Sequence, residues 1–184
     1  MRQPERQAQS AKRKAPCAMH HAPCAKRHAP CAMRKQGILL DIGLTDEKQP
    51  NFVRMAGRKG PGVDIVHDLE RFPWPLPDES CLIVLAAHVI EHIKPWLSVA
   101  WMNEVWRVMK KDGQLAIATP YAGSPAWYQD PTHCGHFTEM SFHYFDPRFP
   151  QLYAVHTPRP WTIEQGNPTW KSGGNLECVL RPIK

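Results

Sequence analysis

The stretch Cys81-Leu82-Ile83-Val84-Leu85-Ala86-Ala87 constrains this chain more than any other: seven apolar residues without a break, leading directly into His88-Val89-Ile90-Glu91-His92. A strand that shows one face to water alternates polar with apolar. An unbroken apolar run belongs to a strand covered on both faces, as in the middle of a parallel sheet. Gly37-Ile-Leu-Leu-Asp-Ile-Gly43 reads the same way, and Phe52–Met55 and Val63–Val66 read as shorter strands on either side of a turn-rich segment. Over residues 95–111, Leu97, Ala100, Trp101, Val105 and Val108 recur at spacings of three and four, which predicts a helix with Pro95 in its first turn. Lys110 and Lys111 suit its C-terminal end and Gly113 its stop. A strand over 114–120 follows, and residues 160–165 and 175–183 read as an antiparallel pair. Strands alternating with helices predict an α/β fold: a Rossmann-like three-layer sandwich, mostly parallel, with antiparallel C-terminal strands and a shortened N-terminal half. Sheets of this kind bind ligands beyond the carboxyl ends of the strands, so residues just after Leu40, Val66, Ala87 and Thr119 are the first candidates for a site.

The formal net charge of +6 is unevenly placed. Residues 1–36 hold nine Lys and Arg against the single Glu5, whereas residues 37–184 hold fourteen basic and sixteen acidic side chains. The chain therefore divides into a basic tail, 1–36, and a near-neutral domain, 37–184. The tail repeats a seven-residue unit, Lys14-Ala-Pro-Cys, His21-Ala-Pro-Cys and His28-Ala-Pro-Cys. A proline in every unit rules out a coiled coil, because each interior proline costs a helix about 3 kcal/mol. Three readings remain for it: a disordered low-complexity extension, a sequence-independent contact with nucleic acid, or a zinc-binding tract. Met33 directly precedes the organised sequence and would serve as an alternative start. Cys81, Cys134 and Cys178 form no C-x-x-C pair, and no apolar run approaches 18 residues. A reduced, cytoplasmic setting without a membrane span is expected.

His88, Glu91 and His92 spell H-x-x-E-H, the inverted signature of zinc hydrolases. That chemistry needs the string inside a helix, where both imidazoles share a face. Here His88 follows a strand and Pro95 limits any helix before it, so the string reads as a strand end and the loop leaving it. Cys134 between His133 and His136 crowds its potential ligands too closely to surround one ion. No metal is expected.

At these strand ends the residues become familiar. Leu-Leu-Asp41-Ile-Gly43, then His67-Asp68-Leu69 through Pro-Leu-Pro-Asp78-Glu-Ser, then His88-Val-Ile-Glu91-His92 and Asn103-Glu-Val-Trp-Arg-Val-Met-Lys-Lys-Asp-Gly113 occur in that order. Together they resemble the class I S-adenosylmethionine-dependent methyltransferases, in particular small bacterial and phage-type members that also carry Asp130-Pro-Thr-His133 and Tyr144-Phe-Asp-Pro147. The resemblance covers about residues 37–184. It implies S-adenosylmethionine as cofactor, with Asp41 and Gly43 at its methionine end, Asp68 accepting from the adenine amino group and Leu69 covering the ring. His88 and Glu91 would border the cleft, and His92 would pack or hydrogen-bond locally.

The chain departs from the family pattern at two places. The second glycine of the cofactor loop is replaced in Gly43-Leu44-Thr45, where a β-branched residue resists the conformations glycine allows. The acidic residue that binds the ribose hydroxyls is replaced by Ala56. A hydrogen bond to a charged group is worth about 1.5–3 kcal/mol, so the loss predicts cofactor binding weaker by one or more powers of ten. Residues 119–147, rich in Tyr, Trp, His and Asp, read as a lid, with Tyr121, Asp130 and His133 as candidates for the acceptor pocket and His133 as its base. The expected function is methyl transfer to an unidentified acceptor. The alternatives are a catalytically inactive methyltransferase-like interaction protein, or a domain tethered to nucleic acid by its basic tail.

Overall fold

Alternating short strands and connections bury the apolar runs of this chain in one mixed sheet of eight strands. The structure, a computed structural model, describes residues 37–44, 48–171 and 173–184. The tail over 1–36, with its repeats and its three readings, lies outside the described residues, as does Thr45.

The strands are β1 (Ile38–Ile42), β2 (Val53–Ala56), β3 (Ile65–Val66), β4 (Cys81–Ala87), β5 (Met109–Pro120), β6 (Trp161–Ile163), β7 (Thr169–Trp170) and β8 (Asn175–Pro182). Their spatial order is β3-β2-β1-β4-β5-β8-β6, with β7 also paired to β8. The first five run parallel, and β6, β7 and β8 pair antiparallel. This is the mostly parallel sheet with antiparallel C-terminal strands that the sequence predicts. Strand order steps outward from β1 to β3, then jumps back to β4 on the other side of β1. A crevice opens where such an order reverses, because the connections on either side leave in opposite directions.

The shortened half is visible as well: the described residues between β1 and β4 form no helix. One crossover helix, α1 (Ser98–Val108), joins β4 to β5 and follows a single 3₁₀ turn at Pro95–Leu97. Its Trp101, Met102, Val105 and Val108 are fully buried against a core that includes Leu40, Ile42, Val84 and Leu115. Each such side chain contributes about 1.5–3 kcal/mol through removal from water.

The helix is shorter than its periodicity predicts, and the reason lies in the strand that follows. Met109 is fully buried and opposite Cys81, so the chain is already extended there. Two residues along β4, Ile83 pairs with Gln114, so Lys110–Gly113 bulge out of the ladder instead of closing the helix.

Between β5 and β6 lie three short helices, α2 (Pro125–Tyr128), α3 (Glu139–His143) and α4 (Pro150–His156). The segment read as a lid is thus partly helical, and its far end is pinned by Asp146. This carboxylate is fully buried and accepts from the Ile163 amide (2.9 Å), the Arg148 amide (2.9 Å) and Arg148 Nε (3.0 Å). Among the described residues no helix is long and apolar enough to cross a membrane. Cys81, Cys134 and Cys178 are free, and burial pushes the Cys81 thiol up to about 11 and that of Cys178 higher still.

Candidate active site

The crevice at the strand-order reversal is a cleft of about 500 Å³, within the range typical of small-molecule sites. Gly43 and Leu44 come from the end of β1, Ala56, Gly57 and Arg58 from the end of β2, and Leu69 from the segment after β3. His88, Val89, His92 and Ile93 come from the turn that leaves β4.

Gly43 is required by this geometry. Its φ is +102°, and a Cβ added there would meet Val89 Cγ2 at 2.6 Å. Only glycine holds that backbone conformation without strain and lets the β1 end lie this close to the β4 turn. Leu44, Leu69, Val89 and Ile93 give the cleft apolar walls, which suit a flat heterocycle, and Arg58 adds a cation.

The turn after β4 is built around a buried carboxylate. His88 sits at φ +54° with its amide donating to the Ala118 carbonyl (2.8 Å), and a 3₁₀ turn over Ile90–His92 follows. Glu91 is fully buried: its Oε1 accepts from His88 Nδ1 (3.2 Å) and its Oε2 from Thr119 Oγ1 (3.1 Å). That hydrogen bond to Glu91 raises the half-exposed His88 imidazole above its ordinary pKa. The string is therefore a strand end and turn, as its position after an apolar run implies, and His88 is not on a helix face with His92.

The lid docks on this same turn. The amides of Cys134 and Gly135 both donate to the Glu91 carbonyl at 2.8 Å. A Cβ on Gly135 would lie 3.0 Å from the Ile90 carbonyl oxygen, so glycine permits the approach. Docking brings His133 beside His92, with ring centroids 4.8 Å apart and edge to face.

The residues singled out by sequence divide in the structure. Gly43, Leu69 and His88 line one cleft. Asp41 does not: it is buried, and its Oδ2 accepts from Arg54 Nε (2.9 Å) and Nη2 (2.8 Å) across the β1–β2 pair. The position expected at the methionine end is instead half of a buried ion pair. Asp68 is exposed, caps the Glu70 amide (3.0 Å) and faces Arg71 at 3.4 Å. Glu91 lies beneath the cleft wall, behind His88.

On the lid, Asp130 Oδ2 stands 3.9 Å from His133 Nε2. Hydrogen bonds from Thr132 hold the Asp130 carboxyl below its ordinary range. Tyr121 is apart from them, its hydroxyl paired with Glu139, which raises its pKa. None of the three lines the cleft. His92, Ile93 and Arg58 do, and their common signal is position: each lies within a few residues of a parallel strand's carboxyl end.

A mostly parallel sheet with this order and a cleft at the reversal define the class: a nucleotide-type α/β fold with its site at the strand tips. Residues 36–117 match the family model described as "Methyltransferase domain". The fold is similar to that of a SAM-dependent methyltransferase from Archaeoglobus fulgidus, at TM-score 0.56 and 15% identity, covering 82% of this chain and 88% of that one. It is similar also to the 16S rRNA (adenine(1408)-N(1))-methyltransferase W203A mutant from Catenulisporales acidiphilia (TM-score 0.52, 11% identity, 83% and 89% covered). A third likeness is to the Burkholderia thailandensis 1,6-didemethyltoxoflavin-N1-methyltransferase, solved with S-adenosylhomocysteine (TM-score 0.50, 11% identity, 84% and 79% covered). No curated protein matches the chain in sequence. Sequence match and fold agree: residues 36–117 match a methyltransferase-domain model, and the described chain has a Rossmann-like fold similar to that of class I S-adenosylmethionine-dependent methyltransferases.

Proposed function

We propose that the protein transfers a methyl group from S-adenosylmethionine to an acceptor that enters from the lid side of the cleft. The observation that carries this reading is the apolar cleft at the strand-order reversal, opened by a glycine at Gly43 that no other residue can replace without meeting Val89. When bound, S-adenosylmethionine supplies an electrophilic methyl on a sulfonium. The chain's own contribution is to hold donor and acceptor in line and to keep water out, which is most of what such a displacement asks of a protein. Gly43 and Leu44 would receive the methionine end, and Leu69 and Ile93 the adenine face. Asp68, which follows β3 beside Leu69, would accept from the adenine amino group once its side chain turns from Arg71 toward the cleft. His88 and His92 border the side from which the lid approaches.

Ala56 and Arg58 at the end of β2 favour a second reading, since the chain presents a methyl group and a cation where family members place a ribose-binding carboxylate. In that reading the domain is an inactive methyltransferase-like interaction protein. Calorimetric titration of the full chain with S-adenosylmethionine decides between them: saturable heat and a thermal shift are expected, and neither at millimolar ligand would leave only the inactive reading. The charge of residues 1–36 further supports a nucleic-acid contact. Deleting residues 1–32 should then abolish salt-sensitive retention on DNA, and unchanged retention would reject it.

A further inference from the structure

Glu91, His92 and His133 each offer a ligand atom, and these atoms all lie within 4.8 Å of one another. Neither motif suggested this alone, because Glu91 and His92 belong to the turn after β4 whereas His133 belongs to the lid. We propose that the three form a binding site for a first-row divalent transition-metal ion at the rim of the cleft.

Hydrogen bonding fixes which imidazole nitrogens are available. The Trp127 carbonyl can only accept, so His133 Nδ1, 2.9 Å away, carries a proton and Nε2 keeps its lone pair. Thr132 Oγ1 gives its single proton to Asp130 Oδ1 (2.7 Å), so toward His92 Nδ1 (3.0 Å) it accepts. His92 is therefore also an Nδ1–H tautomer with Nε2 open. Both histidines donate their remote N–H to a fixed oxygen, and both oxygens of Glu91 accept from His88 and Thr119. Metal-ligating imidazoles and carboxylates are oriented by partners of this kind.

Charge points the same way. Glu91 is fully buried, and its side-chain partners are a hydroxyl and a half-exposed imidazole. His88 at 3.2 Å supplies part of the positive charge that a buried carboxylate requires, and a bound cation would supply more. Asp130 Oδ2, 3.9 Å from His133 Nε2, adds negative charge at the edge of the cluster.

Two imidazole nitrogens and one carboxylate oxygen suit manganese, iron, cobalt or zinc in the divalent state better than magnesium or calcium. Ligand bonds of about 2.0–2.2 Å require the three atoms to close by about 1–1.5 Å, within reach of side-chain rotation. His92 is exposed and lines the cleft, so the open coordination positions face the space where an acceptor would sit. An ion with three protein ligands keeps such positions for water or an oxygen-bearing molecule, whose acidity it raises. That use rests on the methyltransferase reading. Binding of the ion does not.

The test titrates the full chain with Mn²⁺ alone, without S-adenosylmethionine, and follows loss of the free-ion signal by electron paramagnetic resonance. Mn²⁺ is chosen because thiolates compete poorly for it, which separates this site from the cysteines of the tail. One saturable site is expected, weakened at least tenfold by His92→Ala and by His133→Ala. Thr132→Val, which removes the orienting acceptor of His92 together with the hydroxyl's hydrogen bond to Asp130, should weaken it about tenfold. His92 and Thr132 are exposed, so these variants should fold even if Glu91→Gln does not. The joint replacement of Cys17, Cys24 and Cys31 by serine should leave the site intact. No saturable binding at millimolar Mn²⁺, unchanged binding in His92→Ala, or loss of binding in the serine variant would each overturn the proposal. Because no cofactor is present, a failed S-adenosylmethionine titration and a failed Mn²⁺ titration are separate results.

Discussion

Asp41 and Arg54 form an ion pair almost sealed from solvent, with Arg54 Nε and Nη2 both donating to one carboxylate oxygen, at 2.9 and 2.8 Å, across adjacent strands. The Asp of the Leu-Leu-Asp-Ile-Gly string is thus tied to the neighbouring strand through its Oδ2. Asp41→Ala should destabilise the domain by about 3–5 kcal/mol, because it takes the carboxylate away from a buried guanidinium. Replacing both residues with apolar ones of similar volume, Asp41→Leu with Arg54→Met, should recover most of that loss. Urea unfolding of the three proteins measures this. A single variant as stable as the parent would mean that Asp41 is held for the cleft instead.

Gly43→Ala should act differently. The added Cβ would meet Val89 Cγ2 at 2.6 Å in a backbone held at φ +102°. Strain of this kind costs about 1–3 kcal/mol, and it falls where the cleft begins. S-Adenosylmethionine binding should weaken at least tenfold, with a modest drop in Tm. Val89→Ala added to Gly43→Ala removes the clash but not the φ penalty, so it should restore binding only in part, as calorimetry would show.

The contrast between these residues shows what can be read from sequence here. β4 is legible because an unbroken apolar run has few folds to choose from, and β1 because only one polar residue, Asp41, interrupts an otherwise apolar run. β7 is not, because two residues, Thr169 and Trp170, carry no period; their pairing comes from β8. The helix end is misjudged because Met109 is claimed by Cys81 across the sheet, a tertiary contact that no helical pattern announces. Within the site, Gly43, Leu69 and His88 follow from the rule that ligands gather at strand ends. Asp41 escapes that rule because its fate is decided by strand register with a residue thirteen positions on.

The grouping of Glu91, His92 and His133 is the clearest case of what spacing hides. Judged alone, His88, Glu91 and His92 fail as a helical metal motif, and His133 to His136 are too crowded to surround an ion. The structure pairs part of each, through two hydrogen bonds donated by lid amides to the Glu91 carbonyl. Separation along the chain conceals such a set until the lid is in place.

Asp146 gives a prediction in pH. Burial pushes its pKa up, but Arg148 and the amides of Ile163 and Arg148 outweigh that, and the net shift is downward. A carboxyl depressed in the folded state contributes stability that is present above its unfolded pKa, near 4, and is lost as pH falls through the lower folded value. Asp146→Asn should lower stability at neutral pH by about 2 kcal/mol, the worth of buried hydrogen bonds to a charged acceptor. It should also flatten the decline below pH 4. Tm measured from pH 3 to pH 7 checks both, and parallel curves for the two proteins would refute the assignment.

Ala56 offers a gain-of-function experiment. It ends β2, is buried, and lines the cleft at the position where the methyltransferase resemblance implies a carboxylate for the ribose hydroxyls. Arg58, two residues on, lines the same cleft and would partly neutralise a new acidic group. A hydrogen bond to a charged acceptor is worth about 1.5–3 kcal/mol, and 1.4 kcal/mol corresponds to a tenfold change in affinity. Ala56→Asp should therefore tighten S-adenosylmethionine binding about tenfold, after allowance for the desolvation of a carboxylate at a buried strand end. Arg58→Ala in the same background should raise the cost of that desolvation and remove part of the gain. Calorimetry on the parent, the single and the double variant reads each step. Affinity that fails to rise in Ala56→Asp, in a protein with unchanged Tm, would mean that no ribose lies at the tip of β2, and the orientation assigned to the cofactor would have to be reversed.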